Sequence, residues 1–270
     1  MKLILMGTND FVVPVFDYLA ASHDIIAVFT RAPKPVGRKH VLTPSPVHVW
    51  AEKNNLPVYT SIKDFDSISE KPDIIVVISY GVILRDNVLN AAPCVNIHPS
   101  SLPKYRGPSP IKTAIMNGDK TMDVCLMKIV PELDAGDVLV RRNIEIGEND
   151  TCSDIEHKVS DVAKEILCDY MKNPDDFPPI PQSGKVILTR KFTGQDEIIN
   201  WKNDAHQIHN QIRALGCGRT KINGVDVKIL ETKIENNELK IVKIQPSGKN
   251  PMDWKSFVNG LRGAELRYGE

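Results

Sequence analysis

The chain has 270 residues, 34 basic and 34 acidic side chains and a hydrophobic content of 41%. That is long enough for two domains or one large one, and its zero net charge does not advertise nucleic-acid binding along the whole length. Its five cysteines, Cys94, Cys125, Cys152, Cys168 and Cys217, are odd in number and form no C-x-x-C pair, which argues against a disulfide framework or a zinc site and for a reducing, cytoplasmic setting.

The chain opens M-K-L-I-L-M-G-T-N-D-F, without the apolar core of a signal peptide. No apolar run approaches the roughly 18 residues of a membrane span. Leu3 to Met6 reads as a short buried strand that Gly7 ends. Thr8, Asn9 and Asp10 offer helix caps before Phe11, and apolar residues then recur at helical spacing up to Ala21. Ile25 to Thr30 is a second buried strand, so the opening is a βαβ unit and predicts a parallel sheet. The turn carries one glycine, not the three of a dinucleotide fingerprint. Arg31 to His40 (R-A-P-K-P-V-G-R-K-H) is an exposed loop with four basic residues, Arg38 and Lys39 among them. It leaves the carboxyl end of the second strand, where open α/β sheets place ligands; it either grips a phosphate-bearing substrate or only solubilises the surface.

Pro44-Ser45-Pro46 starts a helix through Ala51. Leu56 to Tyr59 is a short strand or connector. Ile74 to Ser79 is the most hydrophobic run and reads as a central parallel strand. Tyr80, Gly81, Val82 and Ile83 turn off its end, where backbone groups can pair with a flat heterocycle, or simply form a hinge. Arg85 to Ala91 is a short helix and Cys94 to Ile97 the next strand. Pro108 to Asn117 is helical, Val124 to Val130 and Val138 to Ile146 are extended, and Thr151 to Met171 is a long amphipathic helix with a capping box at Thr151 and Asp154. Asn173 to Gly184, with four prolines, predicts an extended linker. The domain boundary is accordingly placed near Gly184, or as late as about Lys202, giving domains 1–184 and 185–270. Beyond it come a helix ending near Leu215, strands Val225 to Leu230 and Leu239 to Ile244 around an Asn236-Asn237 turn, and a short closing helix. From Lys185 onward 15 basic residues face 10 acidic ones, against 19 and 24 before it; the excess meets a polyanion or is ordinary surface scatter.

The chemistry concentrates at Cys94 to Pro110, C-V-N-I-H-P-S-S-L-P-K-Y-R-G-P-S-P. On a strand, Asn96 and His98 point to one face. An amide donor beside an imidazole suits oxyanion and acid–base chemistry, or is only a strand end with a surface histidine. Asp134, in the turn P-E-L-D-A-G-D-V, is held on a tight loop and either lies across a cleft from His98 or serves as a turn cap.

At N-I-H-P-S-S-L-P-K-Y-R-G-P-S-P-I, with M-G-T-N-D-F, V-V-I-S-Y-G-V-I-L, L-D-A-G-D-V-L and Q-P-S-G-K-N-P-M, the chain resembles the methionyl-tRNA formyltransferase family of 10-formyltetrahydrofolate-dependent transferases. The resemblance covers nearly the whole chain. It implies a Rossmann-like α/β fold, a mostly parallel open sheet with helices on both faces, followed by a small β-rich OB-like domain. That domain has only about 60 residues between Asp204 and Arg267, short for a five-strand barrel. The resemblance further implies Asn96, His98 and Asp134 as catalytic residues. Asn96 donates to the oxyanion formed when an amine attacks the formyl carbon, His98 moves the proton, and Asp134 orients His98. It implies Tyr80, Gly81, Val82, Ile83, Ser100, Ser101, Leu102 and Pro103 around the folate, and Arg38, Lys39 and Arg106 on the tRNA. The implied co-substrate is 10-formyltetrahydrofolate, with no metal, and the partner is methionyl-initiator tRNA, bound by a monomeric, cytoplasmic enzyme of translation initiation. Two other readings stay open: a sugar N-formyltransferase acting on a nucleotide-linked amino sugar, and a non-enzymatic folate- or RNA-binding protein.

Overall fold

The computed structural model describes residues 1–37, 39–261 and 265–269, in two compact units. The first comprises Met1–Gly107, Asp123–Ile144 and Glu156–Leu188. Its centre is a seven-stranded sheet built from β1 (Lys2–Gly7), β2 (Asp24–Phe29), β3 (Val58–Tyr59), β4 (Ile74–Ile78), β5 (Cys94–His98), β6 (Thr121–Lys128) and β7 (Val138–Glu145), in the order β7-β6-β5-β4-β1-β2-β3. The pairs from β3 through β5 are parallel and β5–β6 is antiparallel. Every residue of β4 is buried, as expected for a central parallel strand covered on both faces, which is why it reads as one unbroken apolar run. The order reverses at β1, where chain crossovers run to β2 on one side and to β4 on the other; this places a crevice at the carboxyl ends of the strands.

The first helix departs from its expected start. Residues Asp10–Val12 form a 3-10 turn, and α1 begins at Val13 and runs to Ala20, with a proline in its first turn. Pro14 has no N–H to give the preceding turn, so it is comfortable only near a helix start. Asn9 does not cap; its amide donates to the Ser79 hydroxyl at 2.8 Å, tying the loop after β1 to the loop after β4. Gly7 is required by close packing. A Cβ there would sit 2.9 Å from the Ile78 carbonyl oxygen, the Phe16 ring and Val12 alike. In α2 (Pro46–Lys53) the Ser45 hydroxyl accepts from the His48 N–H at 3.0 Å, the expected cap. The basic loop is partly a ribbon, Lys34–Val36 paired with Val41–Thr43; Arg38 lies outside the described residues. A four-residue helix, α3 (Asp86–Leu89), precedes β5.

The second unit comprises Pro108–Met122, Glu145–Ile155 and Thr189–Glu270. It holds α4 (Pro110–Met116), the first turn of α5 (Cys152–Lys172), α6 (Ala205–Leu215), β8 (Gly218–Ile222), β9 (Val225–Glu235), β10 (Glu238–Pro246), β11 (Met252–Asp253) and α7 (Trp254–Gly260). The Thr151–Asp154 box is present at the start of α5, and a second box, Asp204 with Gln207, starts α6. The strands form an antiparallel sheet in the order β8-β9-β10-β11, twice the number the sequence led us to expect. Asn223-Gly224 and Asn236-Asn237 join them, all four residues at positive φ, the two-residue turn whose twist matches a hairpin. Ile208 and Ile212 of α6 pack with Ile199 and Ile229, while Ile222, Val227, Ile244 and Phe257 form a second cluster. The buried His209 is bonded through Nδ1 to the Thr232 hydroxyl at 2.8 Å and through Nε2 to the Glu148 carbonyl at 3.1 Å. Among the described residues, no helix is long and apolar enough to cross a membrane.

Candidate functional site

Strand β5 pairs Asn96 with Val77 of β4 and with Met127 of β6, and His98 with Cys125. Asn96 is half-buried and His98 is buried, and their alternate positions put both on one face of the sheet at its carboxyl end. The loop between β6 and β7 brings Asp134 to His98, with Oδ2 3.6 Å from Nδ1. Three residues that the sequence only suggested are therefore gathered within the first unit.

The segment after β5 holds this group. His98 Nε2 lies 3.0 Å from the Tyr105 carbonyl oxygen. The Gly107 N–H donates to Asp134 Oδ2 at 2.7 Å. Tyr105 and Asp134 both adopt positive φ, +66° and +47°, a conformation costly for residues with a Cβ and one that persists only where the surroundings impose it. Burial pushes the His98 imidazole below its ordinary pKa, and it outweighs the raising pull of Asp134 and of the Tyr105 carbonyl. His98 is therefore neutral near pH 7.

Arg106, expected on the tRNA, is nearly covered. Its Nε donates to Gln182 Oε1 at 3.0 Å and its Nη1 to Glu132 at 3.1 Å. Gln182 in turn donates to the carbonyls of Asp134 and Gly136, at 2.9 and 2.8 Å. The Pro-rich segment expected to be an extended linker instead begins with a 3-10 turn at Pro174–Asp176, and only beyond it is the chain extended, with Ile180 pairing with Val138. No sequence signal marks Gln182, because its partners are main-chain carbonyls brought near by the fold.

The expected folate residues fall into two sets. Beyond β4, Ser79 and Gly81 turn the chain at positive φ. Tyr80 is buried, and burial raises its hydroxyl to about 12, while Gly81, Val82 and Ile83 are exposed, Ile83 by 78%. In the loop after His98, Ser100, Leu102 and Pro103 are buried and Ser101 is half-buried. The Ser100 hydroxyl has no hydrogen-bond partner among the described residues.

A polar network that sequence reading missed braces this loop. Arg141 donates to Asp123 Oδ2 at 2.8 Å and to the Leu102 carbonyl at 2.9 Å; Asn143 donates to Asp123 Oδ1 at 2.9 Å, and the Asp123 N–H reaches the Ser101 hydroxyl at 3.2 Å. Burial would raise the Asp123 carboxyl, but hydrogen bonds from Asn143, Arg141 and Ser101 overcome it and hold the group below the usual carboxylate range. A depressed folded pKa contributes stability that is present above the unfolded value, about 4, and lost as pH falls through the folded one. Asp123→Asn is therefore expected to destabilise by about 1–2 kcal/mol at pH 7, Arg141 being partly exposed. Thermal melts at about pH 3 should show a smaller gap from wild type; a gap that stays constant with pH would remove this role from Asp123.

Comparison with known proteins follows the same lines. The formyl transferase family matches residues 1–171, and its C-terminal domain matches residues 191–240. The chain is 34% identical to the methionyl-tRNA formyltransferase of Rickettsia canadensis, over 97% of each chain, and 34% identical to that of Anaplasma phagocytophilum, over 98% of this chain and 99% of the relative. Its fold is similar to a methionyl-tRNA formyltransferase from Clostridium thermocellum (TM-score 0.67, 15% identity, 91% of this chain and 98% of the other). It is also similar to a sugar 3N-formyl transferase solved with dTDP and 5-N-formyl-THF (TM-score 0.70, 21% identity, 93% and 99%). With an amide, an imidazole and a carboxylate assembled at the sheet's carboxyl edge and kinship running through both parts of the sequence, the chain belongs to the formyl transferase family.

Proposed function

We propose that this chain transfers a formyl group from 10-formyltetrahydrofolate to the α-amine of methionyl-initiator tRNA, acting in the cytoplasm as a monomer. The observation that carries the reading is the intact Asn96–His98–Asp134 group in a chain whose full-length relatives are named methionyl-tRNA formyltransferase. Asn96 donates to the oxyanion that develops as the amine adds to the formyl carbon, an interaction worth roughly 3 kcal/mol in comparable sites. His98 takes the amine's proton, and Asp134 stabilises the imidazolium so formed. The folate, a co-substrate, supplies the activated one-carbon unit. Exposed Val82 and Ile83 suit the face of its flat ring, and Gly81 lets the backbone approach it. Ser100 to Pro103 frame the folate through backbone and shape, since only Ser101 of the four is more than slightly exposed.

For the tRNA, Lys39 is exposed in the turn that joins the two ribbon strands and follows Arg38 in the sequence; a cationic loop suits a phosphate backbone. Arg106 acts in this reading by holding its own loop to Glu132 and Gln182. Residues 1–184, extending to about 202, carry the chemistry in this reading, and the basic remainder adds tRNA contacts. The fold's likeness to a sugar 3N-formyl transferase keeps a nucleotide-linked amino sugar as the second reading.

Incubation with 10-formyltetrahydrofolate and either methionyl-tRNA or a dTDP-amino sugar separates the two. Formyl transfer to methionyl-tRNA is expected; transfer to the sugar alone would overturn the proposal. The double substitution Arg38→Ala, Lys39→Ala should raise KM for tRNA and flatten its salt dependence by about two phosphate contacts. An unchanged salt slope would make the ribbon purely structural.

A further inference from the structure

His98 offers two ring nitrogens to the reaction, and their surroundings differ. Nε2 is 3.0 Å from the Tyr105 carbonyl oxygen. A carbonyl can only accept, so Nε2 carries a hydrogen. The neutral ring then has its lone pair at Nδ1, which faces Asp134 Oδ2 at 3.6 Å. That distance is too long for a hydrogen bond, and the same oxygen already takes the Gly107 N–H at 2.7 Å. The carboxylate is thus held close enough to stabilise a positive ring, yet without accepting a proton from it.

A lone pair facing a carboxylate is not an arrangement that two free side chains would choose. One short segment enforces it from both sides, Tyr105 on the ring and Gly107 on the carboxylate. Tyr105 does so at φ +66°, and Gly107 at +112°. Tyr105 as a whole is 3% exposed, and the Lys104 ammonium lies 4.5 Å from its ring centroid, so the strained residue is held in place by its buried side chain.

We infer that Nδ1 of His98, not Nε2, carries the transferred proton, and that Tyr105 and Gly107 are the positioning residues that select it. This reverses the use of the ring in a Ser-His-Asp triad, where the carboxylate accepts from Nδ1–H and Nε2 works. The inference rests on the formyl-transfer reading for its steps. The acceptor nitrogen bonds to the formyl carbon, and its proton passes to Nδ1. The bond from carbon to the folate N10 breaks, and Nδ1 returns the proton to N10. The ring ends neutral, with Nε2–H still on the Tyr105 carbonyl throughout.

The test is long-range 1H–15N correlation spectroscopy on the 15N-histidine-labelled full chain at about pH 8, where histidine is neutral. His98 is expected to show a protonated Nε2 and an unprotonated Nδ1; a protonated Nδ1 would overturn the inference. In Tyr105→Gly the carbonyl remains but the side-chain lock is gone. The two tautomers should then mix, with kcat down about tenfold or more and KM for folate nearly unchanged. Tyr105→Phe should keep the wild-type tautomer. A folded Tyr105→Gly with wild-type tautomer and kcat would equally sink the positioning role. If that variant does not fold, the wild-type spectrum decides alone. Because the spectrum is read without substrate, failure to formylate methionyl-tRNA would overturn the function and leave this result standing.

Discussion

Replacing His98 with alanine is expected to lower kcat by about 10²–10⁴-fold while the chain still folds. The ring is the titratable group at the centre of the site, 5% exposed, between the Tyr105 carbonyl and Asp134. In the proposed mechanism its removal takes away the proton acceptor, which leaves the amine to lose its proton to water. Folding loses one hydrogen bond, about 1 kcal/mol, plus the packing of the ring, while Tyr105 is released from its restraint. The pH profile gives a sharper test than the rate at one pH. Burial lowers the folded pKa of His98, so the acid limb of kcat/KM should lie below the ordinary histidine value of about 6.5, with a plateau near neutrality. The stability follows with a definite sign. A histidine with a lowered folded pKa leaves the unfolded chain binding more protons, so wild type loses stability as pH falls from about 6.5 through the folded pKa. The alanine variant lacks that loss, and the two melting temperatures should converge in acid. A kcat within tenfold of wild type, or an acid limb that persists in the variant, would take the proton-transfer role away from His98.

Much of this architecture is legible in the sequence, and the limits have physical causes. The unbroken run Ile74 to Ser79 could only be a strand covered on both faces, and the two-residue period of strands placed Asn96 beside His98 without further help. The second unit shows a readable signal passed over. I-N-G-V is a strong hairpin sequence, and Asn223-Gly224 does join β8 to β9, yet only the Asn236-Asn237 turn entered the expectation. β11, two residues long, has too few positions to show a period. Arg106 illustrates a different limit. Charge in a Pro-rich loop reads as a surface feature, whereas its direction was set by Gln182 and Glu132, 76 and 26 residues away. The Tyr105 backbone, the Asp123–Arg141–Asn143 network and the neutral state of His98 share that origin. They are consequences of tertiary packing, and nothing within a window of neighbouring residues encodes them.

Gly136→Ala should be nearly as damaging as the loss of His98, although Gly136 carries no functional group. A Cβ at this position would lie 1.9 Å from the Lys128 carbonyl oxygen and 2.8 Å from its carbon. Both atoms belong to the backbone at the end of β6, so no side chain can swing aside. Either the end of β6 or the loop must move by on the order of 1 Å. The loop is the softer of the two, and it carries Asp134 two residues earlier. Gln182 clasps the carbonyls of Asp134 and Gly136 together, so displacing one displaces the other. Asp134 would then leave the Gly107 N–H and His98. A shift of that size in a positioned group costs about 10²-fold in rate, and overpacking against a fixed backbone costs about 1–3 kcal/mol. The expected result is therefore a kcat lower by about two orders of magnitude with KM for tRNA little changed, together with a lower melting temperature. Gly194→Ala is the control, since a Cβ there meets nothing within 4 Å and its φ is not positive; it should leave both quantities alone. If Gly136→Ala melts and turns over like wild type, the loop tolerates the displacement, and the placement of Asp134 does not govern the reaction.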